Sequence, residues 1–262
     1  MAQTQASKPD LSRLSGTLAA ALGGDPGALA AAGELARLER EVAVLIDHTL
    51  LRPEATAREI QQLCADGAKF GFATVCVNSA WVPLAAESLR GTSIKICAVA
   101  GFPLGATLAQ VKAFEAEQSI WAGAAEVDMV IHVGALKSGN DREVEDDIRG
   151  VVDACQRRGA ICKVILEMAL LTQEEKVRGC KLAVRAGADF VKTSTGFGPG
   201  GATVEDVALL RATAPPNVGV KAAGGIRTLT DLAKMVAAGA NRIGSSSGVK
   251  ILDELRQLAD GK

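Results

Sequence analysis

No tyrosine occurs in this 262-residue chain, and aromatic residues make up only 3% of it. A surface built to stack on nucleobases is therefore not expected. Lys and Arg number 29 against 30 Asp and Glu, a net charge of −1. Neither nucleic acid nor an anionic membrane finds an electrostatic footprint in such a balance. The two histidines, His48 and His132, share no ligand spacing with cysteine or carboxylate clusters, so no metal centre is expected. None of the six cysteines (Cys64, Cys76, Cys97, Cys155, Cys162 and Cys180) belongs to a Cys-x-x-Cys pair. Reduced thiols in a cytoplasmic protein fit that pattern. No early Gly-x-Gly-x-x-Gly fingerprint marks a dinucleotide site, and no cofactor is expected. No apolar run approaches bilayer-spanning length. The stretch Leu18-Ala19-Ala20-Ala21-Leu22 follows Lys8 and Arg13 in the manner of a signal peptide. Its apolar core is too short and glycines interrupt it, so that reading is rejected.

What is present is apolar and periodic. Hydrophobic residues reach 48%, enough for a large core. Helical segments end repeatedly in Gly-Ala, at Gly67-Ala68, Gly123-Ala124, Gly159-Ala160, Gly187-Ala188 and Gly239-Ala240. Glycine in that place supplies the left-handed helix cap. A short apolar run follows each time. Strands are predicted at 44–48, 73–77, 94–99, 126–131, 162–167, 190–192, 218–221 and 242–244. Segments long enough for a helix and two loops separate them. Thr107-Leu108-Ala109-Gln110 reads as a capping box that opens a helix with Leu108, Val111 and Phe114 on one apolar face. Alternating strands and helices imply a parallel sheet, and eight such units favour a closed (β/α)8 TIM barrel over an open doubly wound sheet. Residues 1–40 precede the first strand and read as an N-terminal helical extension, a frayed start and a helix over the barrel's bottom. The barrel itself is expected over 41–262.

Functional groups of such a barrel lie at the C-terminal ends of its strands. Lys192 ends one predicted strand in Asp189-Phe190-Val191-Lys192-Thr193-Ser194-Thr195-Gly196, and Lys221 ends the next. Only about 0.04% of an ordinary lysine is neutral at pH 7. A second ammonium about 5 Å away costs the pair roughly 3 kcal/mol at an effective dielectric of 20. With partial desolvation, that is sufficient to free one amine for imine formation with a carbonyl substrate. Spacing alone equally allows two lysines neutralised by Glu167 and Asp128 in a polar barrel mouth. Gly224-Gly225-Ile226-Arg227 and Gly244-Ser245-Ser246-Ser247-Gly248 follow the last two strands. There barrels often bind phosphate through loop amides and a helix N-terminus, and Thr195-Gly196 completes the cradle. Asp128 and Asp47 are carboxylates in otherwise apolar strands and need a partner. Either serves as a proton shuttle or as a structural ion-pair partner. Cys76 reads as a buried, inert thiol, with a reactive one as the alternative.

These motifs resemble the deoxyribose-phosphate aldolase family. The resemblance rests on the Lys192 and Lys221 segments, on Glu126-Val127-Asp128-Met129-Val130, on Ile46-Asp47-His48-Thr49-Leu50 and on Gly101-Phe102-Pro103-Leu104-Gly105. It runs from about Asp47 to Leu255 and leaves residues 1–40 uncovered. It implies a class I, metal-independent lyase on a (β/α)8 barrel. Such an enzyme reversibly cleaves 2-deoxy-D-ribose 5-phosphate to D-glyceraldehyde 3-phosphate and acetaldehyde, in deoxyribonucleoside catabolism. Carried over, Lys192 is the Schiff-base lysine, Lys221 the lysine that lowers its pKa, and Asp128 the proton donor and acceptor working through water. Gly196, Gly224, Gly225, Ser246 and Ser247 match phosphate-contacting positions, and Asp47 and Thr195 join the substrate-binding group. Dimers are common in the family, so a homodimer is the expectation. Two departures stand out. Phe197 follows Thr195-Gly196 where some members carry a phosphate-binding lysine, which shifts that load to Arg227 and the loop amides. The terminal tyrosine of some members has no counterpart here. Two competing readings remain: another class I aldolase, or a phosphate-binding barrel that forms no imine.

Overall fold

The computed structural model describes residues 9–24 and 33–259. Eight parallel strands close into one barrel in chain order, with β1 hydrogen-bonded to β8. The strands are β1 (Ile46–Leu50), β2 (Thr74–Val77), β3 (Lys95–Ala100), β4 (Glu126–Val130), β5 (Ile161–Ile165), β6 (Phe190–Lys192), β7 (Gly219–Ala223) and β8 (Arg242–Ser245). The helices are α1 (Leu11–Leu22), α2 (Glu34–Ala43), α3 (Ala57–Phe70), α4 (Val82–Ser88), α5 (Ala109–Trp121), α6 (Val133–Lys137), α7 (Asp141–Gln156), α8 (Gln173–Arg185), α9 (Val204–Thr213), α10 (Leu229–Ala237) and α11 (Gly248–Ala259). The expected TIM barrel is the observed fold. The eight expected strands are all there, shifted by one or two residues at most ends.

Strand alternation sorts the side chains into two environments. Val75, Val127, Val164, Val191, Val220 and Ile243 point outward and are buried under the helices. There they satisfy the β-branched preference for a packed pleated surface. The inward positions carry Asp47, Thr74, Cys76, Cys97, Glu126, Asp128, Lys163, Lys192, Lys221 and Arg242. Most of these are polar, and all but Arg242 are buried. Gly219 is what the inward ring of Phe190 requires, since a Cβ there would strike that ring.

Helix starts follow the sequence closely where capping residues are right. Thr172 with Glu175 and Thr228 with Asp231 form capping boxes at α8 and α10. Two local expectations are corrected. Gly67 does not cap α3: the helix continues to Phe70, and Gly71 (φ 71°) is the left-handed cap. Gly67 lies where the helix approaches the sheet, and a Cβ there would come within 2.8 Å of Val75. Thr107 does not cap α5 either, because Leu108 occupies the cap position without a side-chain hydrogen bond. The face of α5 carrying Val111 and Phe114 is exposed. Its buried face carries Lys112, Ala116 and Ser119. Lys112 can be buried because its ammonium donates to the Val130 carbonyl at 2.9 Å and to Asp147 at 2.7 Å. The extension holds two described helices rather than one. α1 packs on α10 and α2 on α11, with Leu14, Leu18, Leu38 and Val42 fully buried. The expected division after residue 40 falls inside α2. The run at 18–22 forms part of α1, whereas Lys8 and the chain's last residues, Asp260-Gly261-Lys262, lie outside the described residues.

Candidate active site

Register sets Lys192 directly beside Lys221 on adjacent strands, at the ends where the sequence puts them. What lies between them is a carboxylate. Both ammonium groups donate to the same oxygen of Asp128, Oδ2, at 2.7 Å each. The other oxygen, Oδ1, accepts from Lys163 at 2.8 Å and from the Cys97 thiol at 3.1 Å. Lys163 also contacts Glu126 at 2.6 Å. Lys221 reaches Asp47 as well, and Asp47 accepts from Thr74 at 2.9 Å and from Arg242 at 2.7 Å. Arg242 closes the cluster on Glu126 at 3.0 Å. Seven ionisable groups from β1, β4, β5, β6, β7 and β8 thus form one network inside the barrel.

The charges in this network hold one another. Burial pushes the Asp128 carboxyl up, but the fields of Lys163, Lys192 and Lys221 outweigh it and keep the group well below the usual carboxylate range. Asp47 follows the same pattern, with burial opposed by Lys221, Arg242 and Lys163, and also ends below its ordinary value. For Lys221, burial pushes the amine down, but Asp128 and Asp47 prevail and raise it. Lys163 is likewise raised, by Asp128, Cys97, Glu126 and Asp47 against burial. In the substrate-free network Lys221 and Lys163 therefore stand as positive charges, and Asp128 and Asp47 as negative ones.

Above the network a cavity of about 350 Å³ opens at the C-terminal ends of the strands. Its lining includes Lys192, Thr195, Gly196, Gly224, Gly225 and Ser246, along with Phe197, Arg52 and Arg227. Lys192 is the one lysine of the network that reaches it. Lys221, Asp128 and Asp47 lie beneath, and Ser247 lines an adjoining groove beside Ser246. The glycines let two loops meet. Gly224 has φ 90°, and a Cβ on it would come within 2.9 Å of the Gly201 Cα. Ser245 fixes the β8 loop by donating to the Ile226 carbonyl at 2.7 Å and accepting from the Ser247 amide at 3.0 Å. Phe197 meets Phe102 edge-on across the mouth, ring centres 5.3 Å apart.

Several residues of the site escaped the sequence reading. Lys163, Arg242 and Glu126 carry no assigned role in it. Glu167, a partner for the lysines in the alternative reading, turns instead toward the β6 loop. It accepts from the Thr195 amide at 3.3 Å and from the Thr195 hydroxyl. Among the described residues it is the non-glycine with a positive φ, 55°, and its second carboxylate oxygen is buried without a partner. Cys76 is fully buried beside Leu51, Cys97 and Val99 and does not line the cavity. Asp47, Cys97 and Glu126 could surround a cation. That place is taken by the Lys163 ammonium, 3.7, 3.2 and 2.6 Å from them.

Comparison with known proteins agrees with this arrangement. Residues 41–254 match the DeoC/LacD family aldolase profile. The chain is 59% identical over 216 residues to the deoxyribose-phosphate aldolase of Geobacillus sp. (strain WCH70), covering 82% of this chain and 96% of that one. It is 57% identical over 211 residues to that of Listeria monocytogenes serotype 4a (strain HCC23), covering 80% and 94%. Among solved structures it is similar to the tetrameric deoxyribose phosphate aldolase of Aeropyrum pernix. The TM-score is 0.81 at 33% identity, over 95% of this chain and all of the other.

Proposed function

Because the chain belongs to the DeoC/LacD aldolase family, we propose that it is a class I deoxyribose-phosphate aldolase, with Lys192 as the Schiff-base lysine. It cleaves 2-deoxy-D-ribose 5-phosphate reversibly to D-glyceraldehyde 3-phosphate and acetaldehyde. The observation that carries the reading is the position of Lys192: one lysine of a buried ion network, alone in facing the cavity, with glycine and serine loops across from it. The network holds four cations (Lys163, Lys192, Lys221, Arg242) and three anions (Asp47, Glu126, Asp128). Fully charged, it carries one excess positive charge in a buried place. Buried uncompensated charge is costly, and Lys192 is the member of the network that the substrate reaches.

The free amine attacks the aldehyde carbon of the open-chain sugar. Loss of water from the carbinolamine leaves an iminium ion on Lys192. A base then takes the proton from the C3 hydroxyl. The C2–C3 bond breaks, its electron pair moves into the enamine, and glyceraldehyde 3-phosphate leaves. Protonation at C2 and hydrolysis release acetaldehyde and regenerate the amine. Asp128, hydrogen-bonded to both Lys192 and Lys221, is placed to pass protons through water in the carbinolamine and enamine steps. The phosphate is received by the amides of Gly196, Gly224 and Gly225, by Ser246 and Ser247 near the start of α11, and by the guanidinium of Arg227. Asp47 and Thr195 serve at one remove: Asp47 holds Lys221 from below, and Thr195 lines the mouth on Glu167. Every residue of this reading lies within 41–262, the unit we assign to catalysis, while the extension packs outside the barrel. No described helix is long and apolar enough to cross a membrane. A cytoplasmic place fits the free cysteines.

Borohydride reduction in the presence of 2-deoxyribose 5-phosphate tests the assignment. The expected result is a reduced adduct whose peptide maps to Lys192. An adduct formed only with other aldehydes or ketones favours a different class I aldolase, and no adduct at all sinks the enzyme reading.

A further inference from the structure

Glu167 stands outside the ion network, yet at the end of the barrel where reacting groups are kept. It lies two residues past the end of β5, on the C-terminal side. It is 4% exposed, and its backbone holds φ 55°, a conformation that strains any residue with a side chain. Such strain persists where the surroundings over-determine it, and it clusters at sites of function. Oε2 accepts from the Thr195 hydroxyl and amide, and Oε1 is buried without a partner. Its described partners thus include no cation. Gly198 lets the β6 loop close on this carboxylate, since a Cβ there would come within 2.8 Å of its carboxyl carbon. Glu167 also lines a smaller cavity, of about 80 Å³, that shares Thr195 and Phe197 with the larger one.

We propose, resting on the aldolase reading above, that Glu167 acts through the Thr195 hydroxyl as the base that takes the C3 proton when the C2–C3 bond breaks. The substrate is anchored at C1 on Lys192 and at C5 by the phosphate cradle, which begins at Gly196. Its C3 hydroxyl lies between these anchors. Thr195 stands between the same two residues in the chain and lines the same cavity. A hydroxyl has one proton to donate and two lone pairs to accept with. That of Thr195 donates to Glu167 and accepts from the Phe197 amide at 3.0 Å, which leaves one lone pair for the C3 hydroxyl. As the bond breaks, the C3 hydroxyl proton passes to the Thr195 oxygen, and the Thr195 proton passes to Glu167. The electron pair left on the C3 oxygen forms the new carbonyl, and the pair of the C2–C3 bond enters the enamine on Lys192. After glyceraldehyde 3-phosphate leaves, the proton returns from Glu167 through Thr195 to water entering the cavity. Asp128 is less suited to this step. Two ammonium groups share its Oδ2, and Lys163 and the Cys97 thiol hold its Oδ1. It also lies beneath the cavity, at the C1 end of the substrate.

Acetaldehyde separates this step from the others, because it forms the same imine and enamine but has no C3 hydroxyl. Glu167→Gln keeps an acceptor for Thr195 and is no base. It should lower kcat for cleavage of 2-deoxyribose 5-phosphate about a hundred- to a thousandfold, as general base catalysis is worth, with KM close to the wild-type value. Borohydride trapping with acetaldehyde, and exchange of its methyl hydrogens in D2O, should keep the wild-type rate in the same variant. A role confined to holding the loop would instead raise KM and leave kcat. Thr195→Val should lose kcat in the same way, and Thr195→Ser, which keeps the hydroxyl, should recover most of it. Cleavage by Glu167→Gln at the wild-type kcat overturns the proposal and leaves the aldolase reading standing. So does a Glu167→Gln that slows acetaldehyde exchange as much as cleavage, or an equal kcat in Thr195→Val and Thr195→Ser. A wild-type chain that forms no imine overturns both readings.

Discussion

Replacing Lys221 by Met probes the charge balance most directly. Two 2.7 Å bonds to one oxygen limit the separation of the Lys192 and Lys221 nitrogens to about twice that distance. At roughly 5 Å and an effective dielectric of 20, two ammonium groups repel by about 3 kcal/mol. Removing Lys221 leaves three cations against three anions, and takes away the ammonium that shares Asp128 Oδ2 with Lys192. An energy of about 3 kcal/mol corresponds to roughly a hundredfold in the share of free amine at a given pH. Imine formation at neutral pH, followed by borohydride trapping, should therefore slow on the order of a hundredfold. The deficit should shrink about tenfold per pH unit as the buffer is made more alkaline. Removing one partner from a buried ion pair also costs stability, about 3–5 kcal/mol. At about 2–4 °C per kcal/mol for a chain of this size, the unfolding midpoint should fall by roughly 10 °C, so the assay belongs at 25 °C, where the variant is folded. Trapping that is slow at every pH would refute the electrostatic role and make Lys221 a reacting group or a purely structural one. An unchanged rate would refute the charge count altogether.

Arg227→Met should lower kcat/KM for 2-deoxyribose 5-phosphate by about ten- to a hundredfold, the worth of a charge-assisted hydrogen bond, and leave that for unphosphorylated 2-deoxyribose unchanged. Steady-state kinetics with both sugars decides it. Glu167→Ala strips the acceptor from the Thr195 amide and hydroxyl. A fall in melting temperature with a raised KM is expected, and Glu167→Gln, which keeps an acceptor, should recover most of both. The pH dependence of stability should show two edges. Asp47 and Asp128 lie below their ordinary value. Their contribution is complete above the unfolded carboxylate value of about 3.9 and is lost as pH falls through the folded one. Lys163 and Lys221 lie above theirs, so their contribution is complete below about 10.4 and is lost as pH rises through the folded value. Calorimetry should find a plateau from roughly pH 5 to pH 10, with a shallower acid edge in Asp47→Asn.

How much of this was legible in the chain depends on where each partner comes from. Lys192 and Lys221 could be read because they end short apolar strands next to glycine and hydroxyl residues, a local signal. The strand set was legible for the same reason, since each strand is announced by its own β-branched residues and the turn before it. Lys163, Glu126 and Arg242 carried no such signal. Arg242 meets Glu126 across 116 positions and Lys221 meets Asp47 across 174, and only closure of β8 onto β1 brings these groups together. The face of α5 was misassigned by the same blindness. Lys112 looks like a surface residue until Asp147 arrives from α7 to pair with it, and burying that pair turns the apolar face outward. One global property was nevertheless available. Alternation applied to every predicted strand, rather than to those ending in lysine, gives the charged inward positions Asp47, Lys95, Glu126, Asp128, Lys163, Glu167, Lys192, Lys221 and Arg242. That set already holds one cation more than it has anions. A dry barrel interior resists an odd charge. The excess therefore marks this interior as a place of unbalanced charge, and Lys192 is the member of the set that reaches the cavity. That count runs over the whole closed barrel, and no single motif contains it.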